Sequence, residues 1–560
     1  MKKILLLLLF ISNISLSQIS SISNGNWSTP STWSGGVVPG SNTDVIINHT
    51  VTISTVVKCR NLTINSKLIN SNSLELRGSI ANNSIYVGTS SLLSFKLNTT
   101  HNITGTISTY SLLIPSGVTV SLLSNLYVTD VANIDGILNS NGKLILYNTP
   151  TLNGRLGKSS GVIVGNFTSQ KYINRCNKWS SYSNPFTTTY NLINDSSQSR
   201  MIYTGFPGSD YPSFSFINAY KYTEGVGYVI PTNINNNISR GSGYYYWNSD
   251  TVFNTNSPSI PQNWKISVTG NIDLSSGFTY SITYSVLDGW NLLGNPYPGL
   301  IDWSNTNWVK SNILNTVYTW NTCNQNYTAW SNGVGVNGGS KYISNFQGFW
   351  IVAIGSSPFL SSPSSVIVDN QTSMLRTSQL PQNTLMISTS TDETAIGFDT
   401  LATNGVDYDI DSPWLDPVNK LYSIIGSKYM INFVSPPILP DTIDIGLIGT
   451  DTLLFTGIEG FTNHSLFLWD SIIGTTYPLY SGYKHGFSES NTNDIRYKII
   501  FQPVITTSIE THNSTVKNKV VIKTINTLGQ DINPSEYTGI IIYIYSDGSS
   551  RKSFNMINPN

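Results

Sequence analysis

The amino-acid sequence predicts an all-β protein, and three observations carry this prediction. Aromatic residues make up 11% of the chain, and together with the β-branched residues they are the types enriched in strands. Gly, Asn and Ser recur between short apolar segments, as they do at turns that connect strands. We find no long segment whose apolar residues follow the 3.6-residue period of an amphipathic helix.

At 560 residues the chain is expected to form several domains, because single cores stop growing at roughly 250–300 residues. We predict, in order, a short right-handed parallel β-helix, antiparallel β-sandwich or jelly-roll domains, and a small C-terminal immunoglobulin-like β-domain. The predicted boundaries are 1–17 for a signal peptide, 18–170 for the capped β-helix, 171–368 for a duplicated aromatic-rich β module, 369–503 for a β-sandwich or jelly roll, and 504–560 for the terminal domain.

The overall charge argues against some classes of partner. The chain has 30 basic and 30 acidic side chains, so its formal net charge is zero. A balanced chain has no overall field that would draw it to nucleic acid or to an anionic membrane surface. We therefore predict no nucleic-acid partner.

The first seventeen residues predict a secretory signal peptide. Residues 1–3 give a positive start and residues 4–11 an unbroken apolar run, and cleavage is expected between Ser17 and Gln18. No segment reaches the ~20 apolar residues of a membrane-spanning helix. The sequence thus predicts an exported protein without a transmembrane helix.

The cysteines leave the disulfide state open. The chain has three, Cys59, Cys176 and Cys323, so at most one internal disulfide can form. Cys176 and Cys323 lie in the same predicted module and either pair with each other or stay free.

Residues 24–53 predict the start of the β-helix. Trp27 and Trp33 lie among Gly, Pro and Ser, and two short apolar strands follow. This pattern resembles the opening of secreted parallel β-helix proteins of the Bacteroidetes. Short apolar strands follow between Leu62 and Leu146. Roughly 110 residues at about 20–25 per rung suit a solenoid of some five rungs, whose end the two tryptophans would cap.

The β-helix also offers the one enzymatic alternative. Polysaccharide lyases and hydrolases with this fold need clustered carboxylates on an outward face, with Lys, Arg or a bound cation. Beyond Asp44, Glu75, Asp130 and Asp135 the segment has almost no acidic residues. A scaffold or ligand-displaying rod is therefore the main interpretation, and a carbohydrate-active enzyme is the alternative.

The module at 171–368 contains a fixed-offset repeat. Trp179 and Trp290 are each followed at the same spacing by Asn-Pro, then by an aromatic strand, an Ile-Ser pair and a Gly-led aromatic strand. Such a repeat indicates a duplicated structural unit. Trp290 and Trp303 are the candidate ligand residues, since aromatic faces can stack on a sugar; the alternative is that both belong to a sandwich core.

The predicted sandwich at 369–503 contains a dense cluster of carboxylates. In an extended strand, Asp407, Asp409 and Asp411 would lie on one side, and oxygen ligands of this kind suit a structural Ca²⁺. The alternative is a solvated acidic loop. We expect no other cofactor.

The last fifty residues contain a pattern formed by Leu528, Gly529, Gly539, Tyr543, Tyr545, Asp547, Gly548 and Lys552. This pattern resembles the C-terminal sorting domain of type IX secretion substrates. Asn526 and Asp531 depart mildly from the family pattern, which has Asp and Glu there. The resemblance implies export through the Sec pathway and then type IX secretion, with the secretion machinery and its sortase as partners and attachment to surface lipopolysaccharide as a further outcome.

We find no linear catalytic motif, neither a zinc-protease histidine pair nor a nucleophile elbow nor a phosphate-binding loop. The sequence therefore predicts an exported, non-catalytic scaffold or adhesin of the cell surface or medium, with glycans as candidate ligands.

Overall fold

The structure is a computed structural model that describes residues 18–174, 178–190, 202–248, 263–286, 289–369, 380–415, 420–436, 441–449, 452–486, 495–504, 520–546 and 548–555. Regular structure in these residues is β-strand apart from short 3-10 turns, which confirms the predicted all-β class. Within them, no helix is long and apolar enough to cross a membrane. The chain divides into two compact units, Met1–Pro503 and Val504–Asn560.

The first part of the larger unit is a three-sided parallel solenoid. Its strands are β1 (Gln18–Ser20), β2 (Gly25–Asn26), β3 (Asp44–Ile47), β4 (Val51–Ile53), β5 (Val57–Cys59), β6 (Leu62–Ile64), β7 (Lys67–Asn70), β8 (Ser73–Leu76), β9 (Ile80–Asn82), β10 (Ile85–Gly88), β11 (Leu92–Phe95), β12 (Thr100–Thr104), β13 (Ile107–Thr109), β14 (Ser111–Ile114), β15 (Thr119–Leu122), β16 (Leu126–Val128), β17 (Val131–Ile134), β18 (Ile137–Asn139), β19 (Leu144–Leu146), β20 (Arg155–Leu156), β21 (Val162–Val164) and β22 (Phe167–Asn174). The longest sheet has the order β1-β3-β6-β9-β12-β15-β18-β21, so the predicted coiled ladder is confirmed.

The solenoid has about seven turns in all. Five strands of its longest sheet, β6, β9, β12, β15 and β18, lie between Leu62 and Leu146, in the stretch for which about five rungs were expected. Val45 pairs with Leu62 and Leu62 with Ile80, so a turn takes only 17 or 18 residues there. Inward Leu, Ile and Val stack from turn to turn, while Asn side chains hydrogen-bond between turns at a corner. Asn65 Nδ2 donates to the oxygen of Asn48 at 3.0 Å, and Asn83 continues this ladder.

Both ends of the solenoid are closed by other structure. In the first turn Trp27 and Trp33 are buried, with their rings 5.0 Å apart and Trp33 Nε1 donating to the Trp27 carbonyl at 2.6 Å. At the far end β22 pairs in antiparallel fashion with residues 263–270 of the next part. This pairing ends the parallel ladder without leaving the edge of that sheet unpaired.

The next part contains two related antiparallel sheets. Its strands are β23 (Lys178–Ser183), β24 (Thr188–Thr189), β25 (Ala219–Thr223), β26 (Gly227–Val229), β27 (Asn237–Ile238), β28 (Gly243–Asn248), β29 (Asn263–Gly270), β30 (Phe278–Thr279), β31 (Trp290–Gly294), β32 (Leu300–Asp302), β33 (Val309–Ser311), β34 (Val317–Asn321), β35 (Asn326–Ser331), β36 (Val334–Val336), β37 (Tyr342–Ile343), β38 (Gly348–Val352), β39 (Phe359–Ser362) and β40 (Ile367–Val368). One sheet has the order β23-β28-β25-β26 and the other β31-β38-β34-β35-β36.

The larger unit ends in a single curled sheet of eleven strands. Its strands are β41 (Thr384–Ser388), β42 (Glu393–Phe398), β43 (Ser412–Pro413), β44 (Leu421–Ile425), β45 (Ser427–Val434), β46 (Asp441–Leu447), β47 (Thr452–Thr456), β48 (His464–Asp470), β49 (Thr475–Pro478), β50 (Lys484–Gly486) and β51 (Tyr497–Pro503). All pairs are antiparallel except β42 with β45. The aspartates at 407–411 lie on a turn before β43, and the expectation of an extended strand there was wrong.

The smaller unit shows a three-stranded antiparallel meander. Its strands are β52 (Val521–Ile525), β53 (Gly539–Tyr545) and β54 (Ser550–Asn555), with β53 in the centre.

Candidate functional site

Two of the three aspartates of the predicted calcium site, Asp407 and Asp411, brace a turn. The two carboxylate oxygens of Asp411 accept hydrogen bonds from the backbone N–H groups of Asp407 at 2.8 Å and Phe433 at 2.9 Å, and its burial raises its pKa to about 6. The Asp407 carboxylate accepts from the backbone of Thr403 at 2.6 Å, and Asp409 is exposed. In the described ranges, no group of three or more His, Cys, Asp or Glu side chains is placed to hold a metal ion. The calcium site stays a prediction.

The two candidate ligand tryptophans lie in different environments. Trp303 has 0% exposed surface, its Nε1 donates to the Asn315 carbonyl at 2.7 Å, and Lys310 Nζ lies 3.8 Å from its ring centroid. Trp290 is half-buried, with its ring 4.9 Å from that of Tyr318. The structure therefore places Trp303 in the core, because a ring without open surface cannot stack on a ligand, whereas the role of Trp290 stays a prediction.

The two sheets with matching strand orders follow the sequence repeat. We call residues 178–248 copy 1 and residues 290–352 copy 2. In each copy the strand that contains the first tryptophan pairs with the Gly-led aromatic strand, β23 with β28 and β31 with β38. The Gly-led strand also pairs with the middle aromatic strand, β28 with β25 in copy 1 and β38 with β34 in copy 2. The landmarks therefore mark equivalent strands.

The copies contact each other reciprocally, as subunits do across a twofold axis. The landmarks make Tyr182 equivalent to Leu293 and Ser242 equivalent to Gln347. Tyr182 bridges to Gln347, and Ser242 bridges to Leu293, so each contact is the counterpart of the other.

The backbone hydrogen bonds across the interface repeat this relation. Gly294 N donates to the Gly241 carbonyl at 2.8 Å, and the equivalent Ser183 N donates to the Phe346 carbonyl at 3.0 Å. Gly241 has φ +76° and Phe346 has φ +60°. The second copy thus keeps a left-handed backbone that a non-glycine residue rarely adopts, because the interface requires it.

A cleft of about 320 Å³ lies at this interface. Its walls are residues 221–224 and 239–243 of copy 1, residues 278–281 on the segment that leads into copy 2, and residues 291–293 of copy 2. Hydroxyl and backbone groups line it together with the rings of Tyr222, Phe278 and Tyr280. A concave site with aromatic walls and a few polar groups is the usual form of a small-ligand site.

Two charged groups of copy 1 in the cleft have very different partners. Glu224 Oε1 accepts from the backbone of Ser285 at 2.8 Å, its hydroxyl at 2.5 Å and the backbone of Gly289 at 3.0 Å. Desolvation would raise the pKa of Glu224, but these hydrogen bonds lower it on balance. Arg240 donates through Nε to the Pro296 carbonyl at 2.8 Å, and its buried Nη2 has no partner among the described residues.

Lys221 is the second cation of the cleft. Its Nζ donates to the Asn237 carbonyl at 2.5 Å, and burial lowers its pKa. Burial also lowers the pKa of Arg240. The cleft thus holds two partly desolvated cations and one carboxylate that is already hydrogen-bonded.

The residues of the predicted sorting motif belong to the smaller unit, and all of them are described except Asp547. Ser17 of the predicted cleavage site and Cys176 also lie outside the described residues. Asn526 Oδ1 accepts from the backbone N–H of Leu528 at 2.9 Å and of Gln530 at 3.0 Å. Gly529 in this turn has φ +80°, and Leu528 is 81% exposed. The Asn526 side chain therefore stabilises this turn.

The other motif residues lie on the two strands that follow. Gly539, Tyr543 and Tyr545 are on β53 and Lys552 is on β54. Gly548, with φ +81°, lies in the turn between these strands, where its N–H donates to the Tyr545 carbonyl at 3.0 Å. Gln18, after the predicted cleavage site, begins β1. Of the cysteines, Cys59 is buried and Cys323 is exposed, and both are free.

Arg240 is the residue that the sequence analysis missed. The Ile238-Ser239 landmark of copy 1 is followed by Arg240, and the matching Ile343-Ser344 of copy 2 is followed by Asn345. Comparison of the two copies position by position would have shown this charge difference. A repeat is expected to differ where one copy has acquired its own contacts.

The fold and the cleft define an all-β solenoid protein that carries a pair of reciprocally packed aromatic repeats. Comparisons with protein-family models, curated proteins and solved structures found no match for this chain.

Proposed function

We propose that this chain is an exported, non-catalytic, glycan-binding protein of the cell surface or medium. The observation that carries the binding part is the cleft between the copies, whose aromatic walls and hydroxyl groups suit a sugar ring. The solenoid and the curled sheet then act as the scaffold that displays this cleft.

The export part rests on the resemblance of the C-terminal residues to type IX sorting domains. Two features of the smaller unit support it. Its described residues bury little apolar surface, and Val520, Ile522 and Leu528 are more than 60% exposed. Exposed apolar groups of this kind are typical of surfaces that bind another protein.

Two exposed leucines allow a matched test of export. Leu528 is 81% exposed and Leu401, in the larger unit, is 84% exposed, so Asp at either position should leave folding intact. In a type IX secreting host, Leu528→Asp should keep the protein inside the cell and Leu401→Asp should not. Cell fractionation and intact-mass analysis measure this, and normal export of Leu528→Asp would contradict the sorting role.

A glycan array probed with the full chain tests the binding part. We expect retention of a subset of saccharides. If a folded sample bound no saccharide on the array, the repeats would be a purely mechanical part of the scaffold.

The enzyme alternative gains no support from the contacts of the solenoid carboxylates. Each of the four named in the sequence is bound to a neighbour: Asp44 to Arg60, Glu75 to Lys58, Asp130 to Arg155 and Asp135 to Ser160. These contacts join successive turns of the solenoid. A scaffold role for the solenoid therefore explains them without a reaction.

A further inference from the structure

Among the described residues, Arg240 is a partly desolvated cation without an ion-pair partner: burial lowers its pKa, and the charge of Asp273 only partly opposes this shift. No Asp or Glu of the described residues forms an ion pair with its guanidinium, and Nη2 is enclosed without a hydrogen-bond partner. A charge withdrawn from water is costly unless an opposite charge or hydrogen bonds compensate for it. The fold therefore maintains an unfavourable group at the cleft.

The guanidinium is held in a defined orientation. It stacks between two rings, 4.9 Å from the centroid of Phe278 and 5.3 Å from that of Tyr297, and Nε is fixed by its bond to the Pro296 carbonyl. Stacking occupies the faces of the guanidinium, Nε is bonded and Nη2 is enclosed, so Nη1 is the group left to donate toward a ligand in the cleft. A charge-assisted hydrogen bond from Nη1 suits an oxygen of a carboxylate.

The other charges of the cleft agree with an anionic ligand. Lys221 adds positive potential at the same wall. The carboxylate of Glu224 would oppose an anion, but its Oε1 accepts three hydrogen bonds from Ser285 and Gly289. Its charge is thus partly compensated before a ligand enters.

We propose that the cleft binds the carboxylate of an acidic saccharide, a uronic acid residue, through Arg240, with the rings of Tyr222 and Phe278 flanking the sugar. This inference rests on the glycan-binding function proposed above and specifies its ligand class. The pseudo-equivalent position in copy 2 holds Asn345, so we assign one acidic subsite to the pair of repeats.

The test is a calorimetric titration of the full chain with three probes: trigalacturonic acid, its methyl ester and neutral trigalactose. We expect the acid to bind at least about tenfold more tightly than the ester, because charge-assisted bonds are roughly twice as strong as neutral ones. This comparison leaves the protein unaltered, so folding does not affect it.

Two variants locate the effect in the cleft. Arg240→Gln should raise the Kd for the acid about tenfold and abolish the preference over the ester. Lys143→Gln, which removes one charge from an exposed solenoid turn outside the cleft, should change neither. The thermal midpoint of each variant reports its folding.

The outcomes separate the two proposals. Equal binding of acid and ester, unchanged by Arg240→Gln, would overturn the acidic subsite and leave the glycan-binding function standing. Binding of none of the three saccharides by folded protein would overturn both.

Discussion

The two copies of the repeat hold each other by the same contacts but present different chemistry. The bridges and backbone hydrogen bonds across their interface occur in reciprocal pairs. The side chains beside that interface do not, since Arg240 of copy 1 corresponds to Asn345 of copy 2. Backbone geometry at a shared interface tolerates little change, whereas a side chain at its margin can acquire a ligand role.

The first strands of the two copies also differ in the contacts that they make with the other copy. At the start of copy 1, Trp179 is held by Trp320 Nε1, which donates to its carbonyl at 2.8 Å, and by Gln325, which accepts from its backbone at 3.0 Å. At the start of copy 2, Glu224 of the other copy binds Gly289, and the cleft lies beside this contact. The proposed binding site therefore lies where the pair departs from symmetry.

The largest expected effect is a loss of stability when the buried Trp303, rather than a half-buried tryptophan, is replaced. Trp303→Ala should lower the free energy of unfolding by about 3–5 kcal/mol, because Trp303 is fully buried. Trp290→Ala and Trp179→Ala should each cost less and about the same, since both rings are half-buried at equivalent positions. Urea unfolding measures all three. A stable Trp303→Ala variant that no longer binds glycan would reverse the assignment.

The next largest expected effect is a pH dependence of stability that arises from Asp411, where copy 2 contacts the curled sheet. Its folded pKa of about 6 is raised above its usual value, so protonation favours the folded state. The contribution of Asp411 to the free energy of unfolding should be largest below pH 4. It should fall by up to ~3 kcal/mol as the pH rises to 6. Asp411→Asn should remove this slope.

The same pH series tests the predicted calcium site. A bound cation would favour the carboxylate form and suppress the slope. From the hydrogen bonds of Asp407 and Asp411, we expect the same curve with Ca²⁺ and with EDTA. A higher unfolding midpoint in Ca²⁺ would establish the site.

Two equivalent glycines test the reciprocity of the interface. A Cβ at Gly243 would lie 2.4 Å from the Leu293 backbone oxygen, and one at Gly348 would first meet the movable hydroxyl of Ser181. Gly243→Ala should therefore cost about 1–3 kcal/mol, and Gly348→Ala should cost less. Gly40, which has no atom within 4 Å of an added Cβ, gives the matched control. Equal stability of all three variants would show that the copies do not pack in this way.

The sequence predicted the parts of this fold that depend on local pattern. Inward Leu, Ile and Val with Asn at corners indicated the solenoid, and the Trp and Asn-Pro landmarks indicated the repeat. Turns of 17 or 18 residues are shorter than the expected 20–25 because turn length depends on corners whose geometry the pattern does not specify. The aspartate strand was wrong because Asp carboxylates can bond backbone N–H groups nearby and so stabilise a turn.

The site was less accessible to prediction than the fold. The ligand role of Trp303 was suggested by its residue type, but burial depends on tertiary packing. Arg240 lies far in sequence from Phe278 and Pro296, so only the folded chain brings a stacked guanidinium into a cleft. The charge difference between Arg240 and Asn345 was the one signal present in the sequence.

The smallest expected effect concerns the turn contacts of the two copies. The lowered pKa of Glu224 means that its contribution to stability is present above the unfolded pKa and is lost as the pH falls through the folded pKa. Glu224→Gln should remove this acid sensitivity. Gln325, which accepts a hydrogen bond from Trp179 at the start of copy 1, does not titrate, so Gln325→Ala should lower stability equally at pH 3 and pH 7. Thermal midpoints at the two pH values compare these variants.

The most direct test of the central claim is an experimental structure of the full chain with trigalacturonic acid bound. The account predicts the saccharide in the cleft between residues 221–224 and 278–281, with a carboxylate within hydrogen-bond distance of Arg240. A saccharide bound on a flank of the solenoid, with the cleft empty, would contradict it.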